Sequence, residues 1–304
     1  MVVHKLEEWS KQYCLPGFSN VPVYNVLSFI IKESRRDAIT TRANSVAFNF
    51  FIAIFPGVIF VFTLIPLLPF GDDIMDYYVT VIDGTIRNAL PAKASDYFLN
   101  IIHGVTQQVR GGLLSLGFLL SAFFASNGML TLMFGFDKSY DKVFKKRGYF
   151  RQRAVAIALT TLLIILLLFS VLFIVVGDEI LKWILNITHL EGGNFLFSGL
   201  RILLAISVIY IGVTIIYRYG PSMYRRIKFW SPGAILATIL SILTSLGFSF
   251  FINNFGRYNE IYGSIGALIV IMIWFKLNAF VLLVGFELNA SIAVNRDLLA
   301  DWDD

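Results

Sequence analysis

The sequence predicts an all-α integral membrane protein: a six-transmembrane-helix bundle with an amphipathic N-terminal helix and a helical external loop. Three observations lead there. Of 304 residues, 57% are hydrophobic and only 15% charged, against about 45–50% and about 25% in ordinary soluble domains. Six apolar runs reach the roughly 20 residues needed to cross about 30 Å of hydrocarbon. Lysine and arginine are plentiful in every second connecting segment and sparse in the others.

Residues 1–44 form the first region. They lack an apolar stretch after a basic start and carry no small-residue cleavage site, so a cleaved leader is not expected. In VYNVLSFIIKESRRD, Val23, Leu27, Ile30 and Ile31 share one helical face, with Lys32, Arg35 and Arg36 beyond it. Such a helix suits the cytoplasmic membrane surface. The membrane domain, 45–293, holds spans at roughly 45–69, 113–136, 154–176, 199–217, 233–252 and 262–290. Lipid offers the backbone no hydrogen-bond partners, so each span is expected to be helical.

The segment 70–112 joins the first two spans. In PAKASDYFLNIIHGVTQQ, residues Ala94, Tyr97, Phe98, Ile101, Ile102 and Val105 recur at helical spacing along one face. DDIMDYYVTVID offers a second such helix. Either a cap over a cavity or an interfacial spacer fits this pattern. Between spans five and six, FINNFGRYNEIYGSIGALIV reads as a tight turn in which asparagines and glycines satisfy helix ends. Span five carries a stripe of small residues, Ala234, Thr238, Ser241, Ser245 and Ser249, that permits close helix approach. Ser231 and Pro232 make a helix start, as cap and first-turn proline. Residues 294–304 form a short acidic tail.

Orientation follows from the cations. The N-terminal segment carries six, DKSYDKVFKKRGYFRQR seven and YRYGPSMYRRIKFW four; the intervening segments carry three, two and one. Both termini are therefore expected in the cytoplasm. The same alternation explains the net charge of +5 without nucleic acid, which is not expected as a partner. One cysteine, Cys14, allows neither an internal disulfide nor a thiolate metal cluster, and His4, His103 and His189 show no ligand-like spacing. No metal and no cofactor is expected.

Several polar side chains interrupt the spans. Lys276 lies near the middle of the sixth, where a charge costs about 2.5–3.5 kcal/mol; it either snorkels and bonds helix carbonyls or marks a pathway. Glu287 lies about three turns on, within roughly 20° on the same face but about 16 Å away along the axis. Asn278 lies on an adjoining face and Asn289 nearer the inner end. Ser126 and Asn127 interrupt the second span. Arg42 and Asn44 sit at the mouth of the first, Asn49 lies a turn deeper, and Pro56 with Gly57 falls mid-helix. Each reads as packing glue or a kink; together they suggest a polar cavity. In the basic loop, Lys145, Lys146, Arg147, Arg151 and Arg153 are candidates for binding anionic lipid headgroups.

The stretches RANSVAFNFFIAIFPGVIFVFTLIPLLP (42–69), LLSLGFLLSAFFASNGMLTLMFGFDKSYD (113–141), YRYGP (217–221), WSPGA (230–234), GFSFFINNFGRYNEIYGSIGA (247–267) and GFELNA (285–290) resemble, in order and spacing, the YihY/BrkB family. The resemblance covers essentially all of residues 20 to 295. It implies a six-helix, multi-pass protein of the bacterial plasma membrane. It also brings two labels, a virulence-associated membrane factor and an older one of ribonuclease BN. WFKLNAF departs from the pattern, since similar proteins more often carry uncharged residues at the lysine.

Three functions are weighed. The interrupted spans and the candidate cap favour a transporter or translocator of a lipid or amphiphilic envelope molecule, with membrane lipids as partners. A non-catalytic scaffold or envelope-integrity factor binding a protein partner is the alternative. Rapid RNA hydrolysis needs a metal cluster or an acid–base pair, and the scattered histidines and carboxylates count against an enzyme. The sequence leaves the oligomeric state open.

Overall fold

The computed structural model describes residues 13–14, 16–18, 21–26, 28–29, 39–64, 111–137, 140, 142–188, 193–254 and 256–300. They form six long helices: α1 (Ile39–Leu64), α2 (Gly111–Phe136), α3 (Tyr149–Thr188), α4 (Gly193–Tyr219), α5 (Pro232–Asn254) and α6 (Gly256–Ala300). Residues 23–26 and 28–29 are also helical. Among the described residues there is no β-strand, only an isolated antiparallel bridge between Phe144 and Met223.

Five of these helices, α2 to α6, are long and apolar enough to cross a membrane. The span expected at 45–69 coincides with α1 as far as Leu64, and α1 runs through Pro56 without a break. Residues 65–69 and the expected external helices within 70–110 lie outside the described residues. Only 22–39% of each spanning window is buried within the chain, so the remaining apolar surface needs lipid around it. At 1.5 Å per residue, the 40 residues of α3 and the 45 of α6 reach about 60 and about 67 Å, roughly twice the hydrocarbon thickness. The helix α6 also runs past residue 293, where the acidic tail was expected to begin, and buries Val294.

The chain divides into two compact units, residues 49–125 and residues 1–48 with 126–304. In the smaller, the described helical faces expose Phe55, Phe118, Leu119 and Phe123, as lipid-facing helices do. Phe51 meets Phe55 edge-on at 5.4 Å, and Asn49 is half-buried.

The larger unit holds the principal core. There α5 packs along α6, α4 along α5, and α3 along α4. The α5–α6 contact is close because it is made of backbone: a methyl group added at Gly285 would lie 2.6 Å from Ala237 Cβ and 2.8 Å from Gly233 O. Small residues permit such approach where no hydrophobic force separates helix from lipid. The predicted stripe on α5 holds over its first half. Ala234, Thr238 and Ser241 are buried, whereas Ser245 and Ser249 are exposed. Thr238 satisfies its hydroxyl on the Ala234 carbonyl at 2.8 Å.

The start of α5 follows the expected chemistry. Ser231 Oγ accepts from the Ala234 N–H at 3.3 Å, Pro232 occupies the first turn, and Asn289 Oδ1 of α6 accepts from the Gly233 N–H at 2.9 Å. At the other end, α5 closes at Asn254 and α6 opens at Gly256. The tight turn is therefore shorter than its sequence suggested, because the helix resumes before Arg257.

The N-terminal segment behaves differently from a helix lying on lipid. Phe18, Val21, Val23 and Val26 are buried with Leu288 and Ile292 of α6, and Ser291 Oγ donates to the Val26 carbonyl at 3.1 Å. Gly17 takes a φ of +90°, and a side chain there would strike the Pro232 ring at 2.9 Å. Leu27, Ile30 and Ile31, on which the amphipathic reading also rested, lie outside the described residues.

Candidate functional site

One end of the larger unit gathers the cations. The two arginine- and lysine-rich loops, 142–148 and 220–230, meet there: the Lys145 N–H donates to the Ser222 carbonyl at 2.7 Å, and the Tyr224 N–H to the Val143 carbonyl at 3.1 Å. Beneath the bridge lies an aromatic cluster. Phe136 packs against Phe286 at 4.3 Å and Tyr217 at 5.8 Å, and Phe144 reaches Phe286 at 6.5 Å. Tyr217 is fully buried and donates its hydroxyl to the Leu282 carbonyl at 2.6 Å. The ends of α2 and α4, the first basic loop and the middle of α6 are thereby held as one body.

Helix C-termini leave carbonyls without intrahelical partners, and here arginines serve them. Arg42 Nη1 donates to the Gly135 carbonyl at the end of α2, at 3.1 Å. Arg147 donates to the carbonyls of Gly220 and Pro221 past the end of α4, at 3.2 and 3.3 Å. Arg218 donates to the Ile227 carbonyl at 3.2 Å.

Beside Arg147, a cavity of about 340 Å³ opens between α3 and α4. Its wall is apolar, with Val155, Ala158, Leu159 and Leu162 on α3 and Ile215 on α4; its rim is basic, with Lys145, Arg147, Arg151, Arg218 and Arg226. The volume lies within the range of ligand pockets, about 300–1,000 Å³. An apolar groove with a cationic mouth matches an anionic amphiphile, tail along the helices and head at the rim. Near the same end Tyr210, Phe229 and Trp230 cluster, Tyr210 tilted against Trp230 at 5.4 Å and edge-on to Phe229, as aromatic residues gather at a membrane–water interface.

The expected headgroup residues divide. Lys145, Arg147 and Arg151 line the groove, and Lys146 is exposed outside it. Arg153 turns inward and donates from Nη1 to Asn127 Oδ1 on α2. None of the expected interior residues lines this groove. Ser126 and Glu287 are buried, Arg42, Asn127, Lys276 and Asn278 half-buried, and Asn44 exposed. Asn278 Nδ2 donates back to the Trp274 carbonyl of its own helix at 2.9 Å, and Asn289 caps α5. Among the described residues, no three His, Cys, Asp or Glu side chains are grouped to hold a metal ion. Sequence reasoning used Arg218 and Arg226 for orientation only; nothing local in the chain signals that residue 144 pairs with 223.

Asp137 supplies a titratable group at this end. Burial pushes its carboxyl above the ordinary range, opposed by the Ser222 backbone N–H and by Arg147 and Arg42. Gln152 Nε2 donates to its Oδ2 at 3.1 Å. A carboxyl whose pKa is raised by folding binds its proton more tightly in the folded state. Its stabilising contribution is complete below the unfolded value, about 3.9, and is lost as pH rises through the folded one. Asp137→Asn, which cannot ionise, is expected to flatten that fall. Thermal unfolding in nanodiscs from acid to neutral pH should show the variant gaining on the wild type as pH rises. An offset constant at every pH would contradict the assignment.

Comparison with known proteins adds the following. The family model described as "Virulence factor BrkB" matches residues 30–301. A ribonuclease-like protein, YfkH, from Bacillus subtilis (strain 168) is 32% identical over 263 residues, 85% of this chain and 91% of that one. A UPF0761 membrane protein of Tolumonas auensis is 29% identical over 190 residues, 60% of each chain. One from Xanthomonas oryzae pv. oryzae is 36% identical over 90 residues, 30% of this chain and 21% of its own. No solved structure matches.

Proposed function

We propose that this chain, which belongs to the Virulence factor BrkB family, translocates an anionic lipid or a comparable amphiphile of the cell envelope. The observation that carries the reading is the groove between α3 and α4, apolar along its length and basic at its rim. Neither feature alone points to an amphiphile; their adjacency does. The family and its apolar helices make it a membrane protein. Placement in the bacterial plasma membrane, six spans counting α1, and both termini in the cytoplasm complete the proposal. The meeting of two cation-rich loops at one end supports that orientation. The sequence carries no nucleotide-binding loop, so the movement is either passive or driven by a gradient. The ribonuclease-like name belongs to the Bacillus relative; no enzymatic step is assigned here.

The test is reconstitution. Proteoliposomes carrying the full chain are expected to move a fluorescent anionic phospholipid between leaflets well above protein-free liposomes. Arg151→Ala should slow this severalfold, and Leu162→Trp, which fills the groove from an exposed position, should bring it near background. Lys276→Ala asks whether the half-buried lysine of α6 belongs to the path; slower movement at unchanged abundance and assembly includes it. No movement in either direction by the wild type would remove the proposal and leave a protein-binding scaffold as the reading.

A further inference from the structure

We propose that the groove continues into a second cavity, and that the two together form one track for a lipid whose head carries two or more phosphate charges. The inference rests on the reading of the groove as an amphiphile site. The second cavity, of about 710 Å³, lies on the other side of the 222–228 strap, and Met223, Arg226 and Ile227 line both. Arg226 is held at the divide by the ring of Tyr219, 5.1 Å away, a distance at which a cation and a ring face attract. The strap is fixed to the neighbouring loop by its backbone bonds to Val143 and Lys145.

Charge decides the class of ligand. Lys142, Arg225, Arg226, Lys228 and Arg296 line the second cavity with one carboxylate, Asp297, which Arg296 already meets at 3.3 Å. The cations outnumber that carboxylate by four. The groove rim, where Arg147 and Arg218 bond backbone carbonyls, suits a single phosphate held near Lys145 and Arg151. A singly charged head anchored there would leave Arg225 and Lys228 to water. A head bearing a further phosphate, extended across Arg226, would bring both sets of cations onto one molecule while its tail stayed against Leu159 and Leu162. A basic residue near a membrane favours anionic lipid by roughly fivefold, so two of them distinguish such a head from a singly charged one by about tenfold or more.

The experiment measures lipid binding to the full chain in nanodiscs matched for total surface charge. The probes are phosphatidylglycerol, with one charge, and a phosphatidylinositol bisphosphate. Wild type is expected to hold the bisphosphate at least about tenfold more tightly. Arg225→Ala/Lys228→Ala, at two exposed positions, should erase that preference and leave phosphatidylglycerol binding unchanged. Leu162→Trp should lose both lipids, and thermal unfolding should show each variant folded. Equal affinity of wild type for the two lipids, or a preference that survives the double substitution, would overturn the track while leaving the groove. Retention of both lipids by Leu162→Trp would instead sink the groove reading itself. Inorganic pyrophosphate is the control for a free anion. If it displaced the bisphosphate lipid completely at equal concentration, the tail would contribute nothing, and the track would likewise be overturned.

Discussion

Gly285→Ala is expected to force α5 away from α6 and to cost about 3 kcal/mol or more, at the upper end of overpacking penalties. The added methyl would sit 2.5 Å from the Tyr217 hydroxyl, 2.6 Å from Ala237 Cβ and 2.8 Å from the Gly233 carbonyl. None of these three neighbours gives way cheaply. Ala237 Cβ and the Gly233 carbonyl move only with the backbone of α5. Tyr217 is tied by its hydroxyl to Leu282 and wedged between Phe136 and Phe286. Relief therefore requires a helix to shift, and the shift would open the aromatic cluster, whose Tyr217 also lines the groove. At about 2–4 °C per kcal/mol for chains of comparable size, the unfolding midpoint should fall by roughly 6–12 °C. Gly247→Ala is the control, on the partner helix α5 with open space where its methyl would go; it should be neutral or slightly stabilising. Similar midpoints for the two variants would show that the close approach at Gly285 contributes nothing.

The contrast between those two glycines shows what the chain discloses by itself. Hydropathy and cation alternation are local, one-dimensional signals; they located α2 to α6, with the ends of α2 and α5 placed within two residues, whereas α3 and α6 run ten or more residues past their expected ends. A glycine that admits a second helix is indistinguishable in sequence from one that faces open space. Lys276 and Glu287 illustrate the same limit along a single helix. Periodicity puts them near one face, yet Glu287 is buried and Lys276 only half so. The reason is that, among the described side chains, α6 is buried over its second half, where Leu288 and Ile292 meet the N-terminal segment and Phe286 the aromatic cluster. Burial depends on what arrives from elsewhere in the chain. The groove was legible in part: the basic loop was singled out as a headgroup site, but its partners Arg218 and Arg226 come from some 70 residues away. Arg153 was grouped with its neighbours by charge, and only the crossing of α2 and α3 sends it to Asn127. The N-terminal segment was read by its amphipathic pattern, which cannot tell a lipid surface from a protein one.

The second large effect is expected at Asn289, a residue whose motif, GFELNA, was noticed before its role was. Its amide is buried and used on both sides. Oδ1 accepts from the Gly233 N–H at 2.9 Å, and Nδ2 donates to Ser231 Oγ at 3.1 Å, which in turn accepts from the Ala234 N–H at 3.3 Å. One side chain of α6 thus satisfies part of the N-terminus of α5, where first-turn N–H groups have no intrahelical partner. Water elsewhere on a helix end would replace a lost bond; here Gly233 is buried against Gly285, and Ser231 and Asn289, though they border the larger cavity, are only 4% and 5% exposed. Asn289→Leu keeps the volume and removes both bonds, leaving the Gly233 N–H unsatisfied at about 1–3 kcal/mol and taking from Ser231 Oγ, which keeps its bond from Ala234 N–H, one hydrogen bond of about 0.5–1.5 kcal/mol. A total of about 2–4 kcal/mol is therefore expected. Ser231→Ala alone should cost about 1 kcal/mol, as other caps do. Because Ser231 and Asn289 belong to one network, the double variant should be less damaging than the sum of the singles, by about 1 kcal/mol. Unfolding midpoints of the four proteins in nanodiscs measure the coupling, and hydrogen exchange should show the Gly233 and Ala234 amides losing protection first. Additive costs, or unchanged exchange at those amides, would mean that the two motifs touch without supporting each other. Coupled costs would mean that WSPGA and GFELNA act as two halves of one joint, the joint that sets α5 against α6 at the cation-rich end.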